Sequence, residues 1–127
     1  MSEVLSKTAF VKLTNFPFEN REQNTTLARG VQTTVPASTQ TTVVTLAANG
    51  VRFITKIVCS GHDHAKWEVY VDSIVVITKR ENKFTTEFDF ANPYRLDEHS
   101  VMDVKVTHFV TGDSLDFDAT IIGFERV

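Results

Sequence analysis

The chain has 127 residues, of which 42% are hydrophobic and 23% charged, and a formal net charge of −3. That length suits one domain around one core, and the composition is globular rather than disordered. The acidic balance argues against a general nucleic-acid binder, which needs a basic surface to displace counterions from phosphates, while leaving room for a small local basic patch, and the single cysteine excludes an internal disulfide.

Residues 1–8 carry no basic start followed by an apolar run, so no signal peptide is expected. No window approaches the roughly 20 apolar residues of a membrane-spanning helix, and no membrane association is expected. Residues 9–15 form one candidate edge strand, with Val11 and Leu13 on one face. Phe16-Pro17-Phe18 breaks it, because proline donates nothing to a ladder and constrains its neighbour. Residues 19–30 are polar and lack a sustained apolar period. Residues 1–30 are therefore expected to be an arm or long loop, packed on its own domain or on a neighbouring copy, and residues 31–127 a single domain.

Residues 31–35 make a short strand ended by Pro36, and residues 41–46 a second. Asn49-Gly50, where both residues tolerate positive φ, predicts a hairpin from residues 41–46 into residues 51–60. That longer strand carries apolar residues on both faces and is expected to lie centrally in a sheet or to be covered by a partner chain. Cys59, within it, is expected to be a small buried residue, with a reactive thiol as the alternative.

Trp67, Val69 and Val71 alternate with Lys66, Glu68 and Tyr70, predicting a half-buried strand over residues 65–71. Asp72-Ser73 turns it into Ile74-Val75-Val76-Ile77, and residues 79–83 read as a charged turn. Residues 84–90 alternate again, and Asn92-Pro93 breaks them. Two long alternating strands, residues 101–110 and 114–127, flank Thr111-Gly112-Asp113 and are expected to close the chain as a hairpin.

Eight strands, or nine with the N-terminal one, at spacings of about ten residues predict an antiparallel β-sandwich of jelly-roll-like type. Immunoglobulin-like topology is the second choice. Ten Phe suit such a thin core, since each adds apolar area with no polar atom to satisfy.

Few residues gather into patterns with chemistry. His62-Asp63-His64 has ligand types suited to zinc-like ions, with a third ligand sought from afar at His99 or His108. The competing reading is a solvated polar turn, and no metal or other cofactor is expected. Asp113, Asp116 and Asp118 offer oxygens for calcium but lack the glycine and glutamate of a calcium loop, and a solvated strand face explains them as well. Nucleophile motifs and phosphate-binding glycine loops are absent from the sequence, so an enzyme is not expected. Tyr70, Tyr94 and Trp67 are candidate ligand-binding aromatics for a glycan, although Trp67 shares the parity of the core. Lys79, Arg80 and Lys83 read as a solvated hairpin tip. Ile122 and Phe124 are apolar on the otherwise polar parity of Asp116 and Asp118, and with Phe16 and Phe18 they are the expected interface.

The run from Ala65 to Val71, then Lys79-Arg80, the Phe84–Phe90 segment and the terminal Asp118-Ala119-Thr120-Ile121-Ile122-Gly123-Phe124-Glu125 resemble small all-β virion proteins of tailed bacteriophages. Those are collar, decoration, baseplate and fibre-associated modules, and the likeness spans residues 51–127 in strand order and composition. The resemblance implies a structural homo-oligomer on a symmetric particle, made in the host cytoplasm, with other virion proteins as partners and no catalytic residues. The alternative expectation is a module binding carbohydrate or a host receptor.

Overall fold

The computed structural model describes residues 24–125. They form eight strands: β1 (Thr25–Pro36), β2 (Thr41–Ala47), β3 (Arg52–Ser60), β4 (Ala65–Val71), β5 (Ile74–Glu81), β6 (Thr85–Leu96), β7 (Val101–His108) and β8 (Ser114–Glu125). One four-stranded sheet has the order β1-β8-β3-β6 and the other β2-β7-β4-β5, with antiparallel pairing throughout. Four of the pairs are β1 with β8, β2 with β7, β3 with β6 and β4 with β5. Each joins strands equally far from the middle of the chain, as when one long hairpin is rolled into two layers. That is a jelly roll, and it differs from an immunoglobulin-like sandwich, in which the first strand pairs with the second rather than with the last.

This roll overturns two expected hairpins. β2 and β3 belong to different sheets, as do β7 and β8, so Asn49-Gly50 and Thr111-Gly112-Asp113 are corners between layers rather than hairpin turns. Among the described residues, β4 and β5 are the one pair of chain neighbours that hydrogen-bond as a hairpin. Their turn residues Asp72 and Ser73 both have positive φ, 51° and 69°, matching the twist of the flanking strands. The expectation that the 51–60 strand is central holds, since β3 lies between β8 and β6.

Three boundaries also differ. β1 begins at Thr25, inside the expected arm, because Thr25–Gln32 pair along β8 from Gly123 to Phe117. The exposed positions at its start, Thr25, Thr26 and Arg29, are polar and Gly30 supplies no side chain, so alternation is faint there. A Cβ on Gly30 would sit 2.0 Å from the Val43 carbonyl oxygen, and this glycine lets β1 close on β2 of the facing sheet. β5 continues through Lys79, Arg80 and Glu81, which pair with Trp67, Lys66 and Ala65 instead of turning. β6 runs past Asn92-Pro93 because it is an edge strand, and its ladder with β3 is irregular there: Ile54 pairs with Tyr94 but Lys56 with Asp89. The candidate strand at residues 9–15 and residues 126–127 lie outside the described residues.

The inward faces of both sheets share one core, including Ile54, Ile57, Val69, Leu96, Met102, Val104, Phe117 and Ile121. Trp67 of β4 meets Phe117 of β8 edge-on across the layers, with ring centroids 5.8 Å apart. Burying each such side chain contributes about 1.5–3 kcal/mol. His108 is also fully buried, with its Nε2 donating to the Val35 carbonyl at 2.6 Å and its Nδ1 accepting the Val110 N–H at 3.3 Å. Both ring nitrogens are thereby satisfied, which a buried polar ring requires.

Candidate functional site

The loops at residues 37–40, 61–64, 82–84 and 109–113 share one end of the sandwich. Residues 61–64 are held at both sides. Gly61 N–H donates to the Phe84 carbonyl at 3.1 Å, and the Phe109 N–H donates to the His64 carbonyl at 2.9 Å. Gly61 rests on Phe117, whose ring carbon would lie 2.2 Å from a Cβ placed there, so only glycine lets the chain pass that close. The His62 ring packs edge-on against Phe84, with centroids 5.6 Å apart, and lies 5.5 Å from the His64 ring.

Asp63 stands between the imidazoles. Its Oδ1 is 3.0 Å from His62 Nδ1 and 2.7 Å from His64 Nδ1. The backbone N–H of His64 also donates to His62 Nδ1, at 3.1 Å. The hydrogen bond from His64 holds the Asp63 carboxyl below its ordinary value, and the charges of His64 and His62 add to the effect. One ligand atom from each of the three residues falls within 4.8 Å of the others. The distant ligands sought in the sequence are not there. His108 is buried with both nitrogens engaged, and His99 sits between β6 and β7 at the opposite end.

The acidic candidates are occupied locally. Asp116 Oδ1 accepts the Thr34 N–H at 3.0 Å, Asp118 Oδ1 accepts from Ser60 Oγ at 2.7 Å, and Asp113 stays exposed in its loop. Cys59 is buried, and burial first, with the nearby Asp118 charge second, pushes its thiol far up. It is a core residue.

The aromatic candidates do not make a platform. Trp67 is core, which removes it as a sugar-stacking surface. Tyr70 lies on β4 and Tyr94 on β6, in different sheets. Tyr70 belongs to a polar network: Gln40 Nε2 donates to its hydroxyl at 3.1 Å and to Glu68 at 2.8 Å, while Lys105 Nζ lies 4.3 Å from its ring centroid. Tyr94 packs beside Phe90 at 6.0 Å. A groove of about 310 Å³ between β5 and β6 is lined by Lys79, Glu81, Lys83, Thr85, Glu87 and Asp89. Its charges are largely matched within the chain, Lys79 with Glu81 and the Glu87 carbonyl, and Glu87 and Asp89 with Lys56. Of the basic trio, Lys83 is exposed in the loop after β5, whereas Lys79 and Arg80 lie within the strand: Lys79 bridges the two layers, and Arg80 stacks on Phe109 at 4.3 Å.

Of the expected interface residues, Phe16 and Phe18 lie outside the described residues. Ile122 and Phe124 are half-buried on the outward face of β8, and Phe124 stacks on Phe53 of β3 with centroids 5.2 Å apart. Asn24 Oδ1 accepts from Thr55 Oγ1 at 3.1 Å, tying the start of β1 to the irregular step in β3. The apolar surface that stands out is elsewhere. Ile74, Val75 and Val76 of β5 are 68%, 45% and 42% exposed on an edge strand. Four apolar residues in succession, Ile74 to Ile77, were visible in the sequence and exceed what one buried face of a strand can use. No protein-family model, curated protein or solved structure matches this chain.

Proposed function

We propose that this chain is a non-enzymatic structural protein of a bacteriophage particle, built to associate with further copies of itself. The observation that carries the self-association is the bare apolar stretch Ile74–Val76 at a sheet edge. Edge strands of monomeric proteins are usually blunted by charge, and here Lys79, Arg80 and Glu81 do that at one end of β5 while the Ile74 end carries none. The β4–β5 ladder steps between Val69 and Tyr70, leaving Val76 as an extra residue in β5. Such a bulge discourages backbone pairing with an incoming strand. A second copy is therefore held by side-chain burial of Ile74, Val75 and Val76 rather than by extending the sheet.

The particle setting is supported by the resemblance to phage virion modules and by the jelly roll, an architecture that viral capsid proteins use alongside lectins and cupins. Fold alone does not assign function. The glycan-binding alternative gains nothing from Trp67, Tyr70 and Tyr94, which do not converge. Mass spectrometry of purified particles from an infected culture tests the setting: the proposal expects this chain in multiple copies per particle. Its presence in the lysate but not in particles would contradict the proposal.

A further inference from the structure

We propose that the loop at residues 61–64 binds one divalent transition ion through His62, Asp63 and His64. Two imidazoles and a carboxylate form a donor set of intermediate softness, suited to Zn²⁺ and its neighbours rather than to calcium or magnesium. Two features carry the inference.

The ligand atoms are already gathered, within 4.8 Å of one another. In a tetrahedral site with bonds of about 2.0 Å, neighbouring ligand atoms lie about 3.3 Å apart. The separations of 3.0 and 2.7 Å from Asp63 Oδ1 need to open by about 0.3 and 0.6 Å, and the two imidazole ligand atoms, within 4.8 Å of each other, to close by up to about 1.5 Å.

The loop is positioned before any ion arrives. Its two flanks are hydrogen-bonded to Phe84 and Phe109, Gly61 rests on the buried Phe117, and the His62 ring is propped by Phe84. Little ordering remains to oppose binding.

Three protein ligands leave an outward position for water or for a group from another molecule. His64 is the most exposed ligand, with its side chain 61% accessible, so the site opens to solvent at the end of the sandwich. This inference is independent of how copies associate through β5.

The test is isothermal titration of the full, tag-free chain with Zn²⁺ after dialysis against EDTA. The expected result is saturable binding of one ion per chain, weakened about tenfold or more by either His64→Ala or Asp63→Asn, and unchanged by His99→Ala. Thermal melts in EDTA establish that the variants are folded, which the exposure of His64 favours, and added Zn²⁺ should raise the melting temperature of the wild type but not of His64→Ala. Absence of saturable binding by the wild type, or affinity undiminished in both loop variants, would overturn the proposal.

Discussion

The buried Nε2 of His108 donates to the main-chain carbonyl of Val35 at 2.6 Å, linking β7 in one sheet to β1 in the other. The ring also leans on Phe117, 5.6 Å between centroids, so a single side chain supplies both a polar link and apolar packing between the layers. His108→Ala leaves a cavity and an unpaired carbonyl, and should lower unfolding free energy by about 2–4 kcal/mol. His108→Phe restores volume but not the hydrogen bond and should cost about 1–3 kcal/mol. Urea titration followed by Trp67 fluorescence measures both, and a loss under about 0.5 kcal/mol for His108→Ala would show that the link carries little.

Cys59 should be silent in the native protein. It has no exposed surface, and burial together with the Asp118 charge disfavours its thiolate. Only the thiolate reacts with disulfide reagents. Ellman's reagent should therefore find no thiol in buffer and one thiol per chain in concentrated denaturant. Fast labelling of the folded protein would mean that β3 opens readily.

Gly30 lets β1 pass close against the Val43 backbone of β2. Gly30→Ala places a methyl group 2.0 Å from the Val43 carbonyl oxygen, and backbone rather than a flexible side chain must yield. Destabilisation of about 1–3 kcal/mol is expected in the same urea assay, and a neutral effect would mean that β1 sits further from β2.

Two truncations locate where the sandwich begins. Removing residues 1–23 leaves all of β1, whereas removing residues 1–30 takes away the half of the strand that pairs from Gly123 to Ala119. The longer deletion should melt at a lower temperature than the shorter one. Equal melting temperatures would return residues 24–30 to the arm.

Residue alternation disclosed the layered β architecture and most strand cores, because Trp67-Val69-Val71 and Leu115-Phe117-Ala119-Ile121 leave no other period. Pairing was harder to see. The alternation of β7 and β8 is the same whether they face each other in a hairpin or lie in separate layers, and a Gly-containing connection serves both. β1 was obscured by the polar exposed residues at its start, and Lys79-Arg80-Glu81 read as a turn because an edge strand carries charge where a central strand cannot. At the candidate site, spacing alone showed His62 and His64. That Asp63 lies between their rings, and that Gly61 and His64 are pinned to Phe84 and Phe109, depends on contacts between segments distant in sequence.

The central claim is that copies of this chain meet through the Ile74 end of β5. Size-exclusion chromatography with multi-angle light scattering on the wild type and on an Ile74→Lys/Val76→Lys double variant tests it most directly, since both residues are exposed and their replacement spares the core. The expected result is an oligomeric mass for the wild type and a monomeric mass for a folded double variant; a monomeric wild type, or an oligomer unchanged by the two lysines, would contradict it.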